Sequence, residues 1–370
     1  MSEQSYTPGQ HPDLPPPSSL VGPVAWLRSN LFDGPINSAL TLLAIYLLYI
    51  IIPPMASWLF ISADWVGTSR DDCSKEGACW VFIDVWMQQL MYGRYPSEEL
   101  WRINLSYIMV VVTALPLFFK AVPTKVKSAL AVTLLVIYPI VFFYLYVGGS
   151  FGLEFVETPR WGGLFLTLVI AVTGIVASLP LGVVLALGRR SNMPVVKSIC
   201  VVFIEFWRGI PLITVLFMAS VMFPLFVPED LSPDKLVRAL VGVALFSSAY
   251  MAEVIRGGLQ AIPKGQYEAA DALGLSYWKS MCLVILPQAL KLVIPGIVNT
   301  FIGLFKDTTL VLIIGLFDLL GMAQAAATNT DWLGFTIEGY VFAAFGFFVF
   351  CFGMSRYSQR LERELDTGHR

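Results

Sequence analysis

Apolar residues run along the chain in blocks of about 20, the length a helix needs to cross a hydrocarbon layer, and the polar stretches between them hold most of the charge. The blocks lie near 38–60, 104–119, 128–147 and 162–187, then near 195–227, 236–255, 288–320 and 334–354. They predict an all-α, polytopic membrane protein with about eight transmembrane helices. Two blocks, 195–227 and 288–320, are longer than one straight crossing requires and carry charge, so a break or a tilt is expected inside each.

Blocks and connectors together predict an organisation. Residues 1–37 form a polar, proline-rich tail, expected to be disordered and cytoplasmic. The tail lacks the basic start and small-residue cleavage site of a secretory signal, so the first apolar block is expected to remain as a span. Residues 38–150 supply three spans and a long outer loop at 61–101. Residues 161–362 supply five spans and a long inner loop at 257–287, followed by a tail at 363–370. With the N-terminus placed inside, fifteen of the 24 lysines and arginines fall in inner segments and seven in outer ones, while Arg208 and Lys306 lie within apolar blocks. That bias predicts both termini in the cytoplasm of a cell bounded by this membrane.

Composition sharpens this picture. At 56 % hydrophobic and 14 % charged residues, the chain is too apolar for an ordinary soluble domain. A net charge of −2 without a basic block gives no electrostatic footprint for nucleic acid. Both histidines, His11 and His369, sit in the tails, so neither histidine catalysis nor a transition-metal site is expected at membrane depth. Cys73 and Cys79 form a close pair in the outer loop, where an oxidising compartment would join them as a disulfide; two unpaired thiols are the alternative. Farther along that loop, Pro96-Ser97-Glu98-Glu99 reads as a helix start with Ser97 as cap.

The inner loop carries a compact pattern, Lys264-Gly265-Gln266-Tyr267-Glu268-Ala269-Ala270-Asp271-Ala272-Leu273-Gly274, followed by Ser276 and, further on, Val284-Ile285-Leu286-Pro287. It predicts a helix over about 264–273, a left-handed C-terminal cap at Gly274, a second helix capped by Ser276, and re-entry into the membrane at Pro287. A small amphipathic projection of this kind suits docking into a groove on a partner.

Glu268-Ala269-Ala270, Gly274 and the Val284-x-Leu286-Pro287 ending resemble the EAA loop of ABC importer permeases, with valine where isoleucine is usual. The segments Glu205-Phe206-Trp207-Arg208-Gly209-Ile210-Pro211-Leu212, 252–258 and Lys306-Asp307-Thr308-Thr309-Leu310 resemble polar amino-acid permeases of the histidine, arginine and glutamine type. That group often has threonine at the position of Ile210 and serine at that of Thr309. The three additional spans, the outer cysteine pair and Tyr92-Gly93-Arg94-Tyr95-Pro96 are similar to the longer permease subunits of general L-amino-acid ABC importers. The resemblance implies a MetI-like core over 161–362 in the bacterial inner membrane, a second related permease, two cytoplasmic ATPase subunits and a periplasmic binding protein. It also implies that Glu268, Ala269, Ala270 and Gly274 couple to the ATPases, with ATP and magnesium bound there. Independently, a P-loop needs glycine before Lys-Ser or Lys-Thr, and Trp278 stands at that place before Lys279-Ser280. This chain is therefore expected to bind no cofactor and to have no catalytic residues.

An ionisable side chain at membrane depth costs roughly 2.5–3.5 kcal/mol on insertion scales, so each one needs a reason. Glu205 and Arg208, and Glu253 and Arg256, stand three apart and share helical faces, so each pair can neutralise itself. Alternatively Arg208 holds the carboxylate of a transported amino acid and Glu253 and Asp307 its ammonium, with Glu205, Thr308 and Ser248 adding polar groups. A gradient-driven transporter using these carboxylates, or a membrane scaffold without a pathway, is a competing function. The EAA loop favours the importer, because neither competitor needs it. Asp318 can face either a loop or the pocket.

Overall fold

The computed structural model describes residues 22–74, 76–119, 121–228 and 231–365. Most of the tail expected to be disordered, both histidines, Lys75, Lys120 and 366–370 lie outside the described residues. Among the described residues the secondary structure is helical, and backbone pairing is limited to three isolated β-bridges. The principal helices are α1 (Pro35–Ile61), α2 (Trp80–Tyr92), α3 (Ser97–Phe118), α4 (Thr124–Val147), α5 (Gly163–Arg189), α6 (Pro194–Gly209), α7 (Leu212–Leu225), α8 (Lys235–Ala261), α9 (Lys264–Ala272), α10 (277–292), α11 (Ile294–Ile314), α12 (Leu319–Ala327) and α13 (Thr336–Leu365).

Seven of these are long and apolar enough to cross a membrane: α1, α3, α4, α5, α8, α11 and α13. The pair α6 and α7 makes an eighth crossing if counted as one span, and the two are bent by 100°. The break expected in 195–227 falls at Ile210-Pro211. Proline has no N–H to donate and its ring pushes the preceding residue out of the helical region, and Ile210 is accordingly extended at φ −110°, ψ 135°. In 288–320 the chain breaks at Val293 and changes again after Asp307, where the helix tightens into a 3₁₀ turn.

The chain divides into two compact units, 1–81 and 82–370. In the first, α1 leads into a short loop closed by a disulfide between Cys73 and Cys79, with Cα atoms 5.7 Å apart. Asp64 accepts from the Ser74 amide and hydroxyl at 2.7 and 2.9 Å. Amides of Thr68 and Ser69 donate to the Asp72 carboxylate and hold it below the usual carboxylate range.

Within the second unit, side chains of α3 and α4 share a hydrophobic core with those of α5. The Tyr95 hydroxyl donates to the Tyr146 carbonyl at 2.9 Å, and their rings join Trp161 and Phe165 in one buried aromatic cluster. Arg102, fully buried, donates to the Glu154 carbonyl at 2.8 Å and lies 2.7 Å from Glu99. A buried guanidinium requires such partners to offset its desolvation. Ser97 does not cap: Pro96 occupies the cap position, and the Ser97 hydroxyl instead accepts from Gln88 at 2.9 Å.

Helices α5 and α8 form the centre of this unit. Small residues let them approach: a Cβ on Gly182 would fall 2.7–2.8 Å from Met251, and one on Gly258 would fall 2.5 Å from the Ala289 carbonyl of α10. Their matched registers place the end of α5 beside the last turns of α8, and α9 projects from there.

Candidate functional site

At the C-terminal ends of α5 and α8 the sequence concentrates charge that the fold collects into one cluster. The prolyl bend after Gly209 puts Arg208 on the last turn of α6. Glu253 stands about two turns before the end of α8, and Arg189 is the last helical residue of α5. Arg189 lies 2.8 Å from Glu205 and 3.0 Å from Glu253. Arg256 makes hydrogen bonds of 2.9–3.2 Å to both oxygens of Glu253. Arg208 is 3.7 Å from Glu253, beyond a hydrogen bond, and its guanidinium sits 5.7 Å from the Tyr250 ring centroid. The pairing of Glu205 with Arg208, expected from their spacing, is replaced by pairing of Glu205 with Arg189, a residue that spacing along one helix could not supply.

Three guanidiniums and two carboxylates leave one positive charge over. Glu253 is only 15 % exposed and is saturated by arginines, whereas Arg208 is 36 % exposed and least engaged. Its remaining N–H donors, above an aromatic face, suit the carboxylate of a small anion or zwitterion.

The other residues expected at this site lie elsewhere or are occupied. Ser248 is fully buried and donates to the Ala244 carbonyl of its own helix, as Ser247 does to Val243. Thr308 is buried and donates to the Phe305 carbonyl. A Cβ on Gly296 would meet Val254 at 3.0 Å, which sets that part of α11 level with Glu253. Asp307 is eleven residues farther along α11, roughly 16 Å away at about 1.5 Å per residue. The fold therefore joins Arg208, Glu253 and Glu205 and leaves Asp307, Thr308 and Ser248 outside the cluster.

Asp318 belongs to the opposite end of α5. Its Oδ1 accepts from the Gly321 amide at 2.9 Å and caps α12, while Oδ2 is buried without a hydrogen-bond partner. Backbone bonds from Gly163 to Phe317 and from Leu319 to the Thr167 hydroxyl stitch this turn to the start of α5. Burial pushes the Asp318 carboxyl up to about 6, against amide hydrogen bonds that lower it. The folded protein thus holds a proton between pH 4 and 6 that the unfolded chain has released, and stability falls as pH rises across that window. Asp318→Asn keeps the Oδ1 cap and cannot ionise. It is expected to stabilise the protein at pH 7.5 by about 1–3 kcal/mol, from roughly 1.4 kcal/mol per pKa unit, and to change little at pH 4. Thermal unfolding in detergent at the two pH values measures both.

Beyond α8 the loop builds a second surface. Helix α9 ends in a left-handed Gly274 at φ +69°, with Gly274 N–H on the Asp271 carbonyl and Leu275 N–H on that of Ala270, the two bonds of a Schellman cap. Ala270 is buried against the body of the protein, and Glu268 and Ala269 are exposed. Ser276 occupies the cap position of α10, although its side chain makes no capping bond. Pro287 lies inside α10 rather than ahead of it. Exposed Leu273 (78 %) and Trp278 (66 %), with Tyr277, give this surface apolar anchors that no motif in the sequence singles out. Arg189, Arg190 and Tyr267 are equally inconspicuous along the chain, because nothing in local spacing distinguishes them from ordinary polar residues at a membrane boundary.

Residues 178–367 match the family described as binding-protein-dependent transport system inner membrane component. Over 358 residues the chain is 57 % identical to the inner membrane amino-acid ABC transporter permease protein YhdY of Escherichia coli (strain K12), with 97 % of each covered. It is 41 % identical over 425 residues to the glutamate/glutamine/aspartate/asparagine transport system permease protein BztC of Rhodobacter capsulatus, with 96 % of each covered. A solved structure described as an amino acid ABC transporter with histidines aligns over 55 % of this chain and 92 % of that chain, at 31 % identity and a TM-score of 0.48.

Proposed function

This chain belongs to the binding-protein-dependent transport system inner membrane component family, and from that premise we propose how its residues serve transport. It is a multi-pass inner-membrane permease subunit of an amino-acid ABC importer and not itself an enzyme, which displaces the gradient-driven alternative. ATPase subunits and a binding protein work with it.

The finer reading is that both termini are cytoplasmic, so that the α9 surface faces the ATPases and the disulfide loop faces the periplasm. Glu268, Ala269, Ala270 and Gly274 couple this subunit to an ATPase, where ATP and magnesium are bound. A second, related permease completes the pathway as a heterodimer. The cargo is an L-amino acid whose carboxylate meets Arg208, with Glu253 and Glu205 setting the charge around it. The observation that carries this assignment is the surplus positive charge of the five-residue cluster, presented at Arg208. Asp307, Thr308 and Ser248 remain pathway candidates only at another level of the membrane.

Tagged chain purified from its native membrane should bring with it a different, related permease in about equal amount, together with ATPase subunits. Recovery with copies of itself alone would overturn the heterodimer. Uptake into vesicles should stop when ATP is depleted and continue when the proton gradient is collapsed.

A further inference from the structure

Helix α5 ends in two arginines whose side chains go to different elements. Arg189, the last helical residue, joins Glu205 and Glu253 in the charged cluster. Arg190, its C-cap, donates to the Leu259 carbonyl at 2.7 Å and to the Tyr267 hydroxyl at 3.1 Å, and its guanidinium lies 5.7 Å from the Tyr267 ring centroid. The Tyr267 hydroxyl in turn donates to the same Leu259 carbonyl at 3.1 Å, which closes a triangle.

The triangle has a covalent reason. The carbonyl of Leu259 would normally accept from the amide four residues on, but that residue is Pro263, which has no N–H. The carbonyl is thus left open at the negative end of α8, where a cation is favoured. Tyr267 lies in α9, immediately before Glu268. One side chain of the Arg189-Arg190 pair therefore grips α9 and the end of α8, and the other grips the charged cluster, with a single peptide bond between them.

We propose that Arg190 and Tyr267 are positioning residues that transmit movement of α9 to the cluster. The displacement of α9 shifts the end of α5, and Arg189 then changes how Glu205 and Glu253 hold the site around Arg208. This rests on the reading of α9 as the coupling helix and of the cluster as part of the pathway. Its own content is the link between them, which uses no residue of the exposed docking surface.

The test uses the assembled transporter in proteoliposomes, with its ATPase subunits, partner permease and binding protein. Arg190→Gln, Arg190→Lys and Tyr267→Phe are compared for ATPase subunits retained, for stimulation of hydrolysis by loaded binding protein, and for amino acid moved per ATP. Arg190→Gln should retain the ATPase subunits and lower both stimulation and transport per ATP at least fivefold. Tyr267→Phe keeps the ring and loses only the hydroxyl, and should lower both about twofold to threefold. Arg190→Lys, which unlike glutamine keeps a positive charge to donate to the Leu259 carbonyl at the negative helix end, should recover part of the loss. Unchanged stimulation and stoichiometry with both Arg190→Gln and Tyr267→Phe would overturn the proposal. Loss of ATPase subunits with Tyr267→Phe would also overturn it, since the contact would then serve docking. If Arg190→Gln fails to assemble, the decision falls to Tyr267→Phe alone. Uncoupling by Glu268→Gln with no effect of Arg190→Gln or Tyr267→Phe would leave the coupling helix standing and remove only the link.

Discussion

Arg208→Gln is expected to lower amino-acid uptake about tenfold to a hundredfold while the transporter still assembles. The magnitude comes from a charged hydrogen bond to a carboxylate, worth about 1.5–3 kcal/mol, with each 1.4 kcal/mol a factor of about ten. Assembly should survive because Glu253 keeps Arg189 at 3.0 Å and Arg256 at 2.9 Å, so no carboxylate is left without a partner. The variant instead removes the surplus positive charge. Glu253→Gln is the informative contrast, since it leaves Arg208 and Arg256 without their counter-ion and should reduce the amount of complex recovered. Uptake and complex yield measured side by side separate the two. Normal uptake with Arg208→Gln would end the assignment of this guanidinium to the substrate carboxylate.

Gly274→Val is expected to uncouple ATP hydrolysis from transport, with uptake falling at least fivefold while protein remains in the membrane. Any L side chain at φ +69° costs roughly 1–2 kcal/mol, and a β-branched one is at the upper end. Space is not the problem, because a Cβ at this position meets nothing within 4 Å. The cost is conformational and is relieved by opening the Schellman cap, which changes the direction in which the chain leaves α9 and so displaces Tyr277 and Trp278. Gly274→Asn, which tolerates the left-handed region, should lose much less. Glu268→Gln leaves the backbone unchanged and tests the exposed carboxylate separately. Equal uptake by Gly274→Val and the parent chain would count against a coupling role for this turn.

Much of this architecture is legible along the chain because its causes are local. Spans arise from runs of apolar residues that a bilayer must bury, and the helix at 264–272 with its glycine stop arises from small residues, alanines and one positive φ. The bend after Arg208 arises from Pro211. Where local pattern and structure differ, a partner elsewhere in the chain is the reason. Ser97 is suited to capping by type, but Pro96 holds the cap and Gln88 takes the hydroxyl. Ser248 and Thr308 are polar and near the right charges in sequence, yet each is satisfied by a carbonyl of its own chain one turn back. Asp318 finds its place only where α12 and the start of α5 meet around it.

The sequence by itself determined a polytopic membrane protein, since hydrophobic length and scarcity of charge are properties of the linear chain, and its motif spacing carried the resemblance to permeases with an EAA loop. Only the tertiary structure decided which charges act together. Glu205, Arg208, Glu253 and Asp307 are equally plausible neighbours in sequence, but helix packing through Gly182 sets α5 against α8 and brings in Arg189 instead of Asp307. A salt bridge depends on a few ångströms between side chains from different helices, and that distance is fixed by how the helices pack rather than by any spacing within one of them.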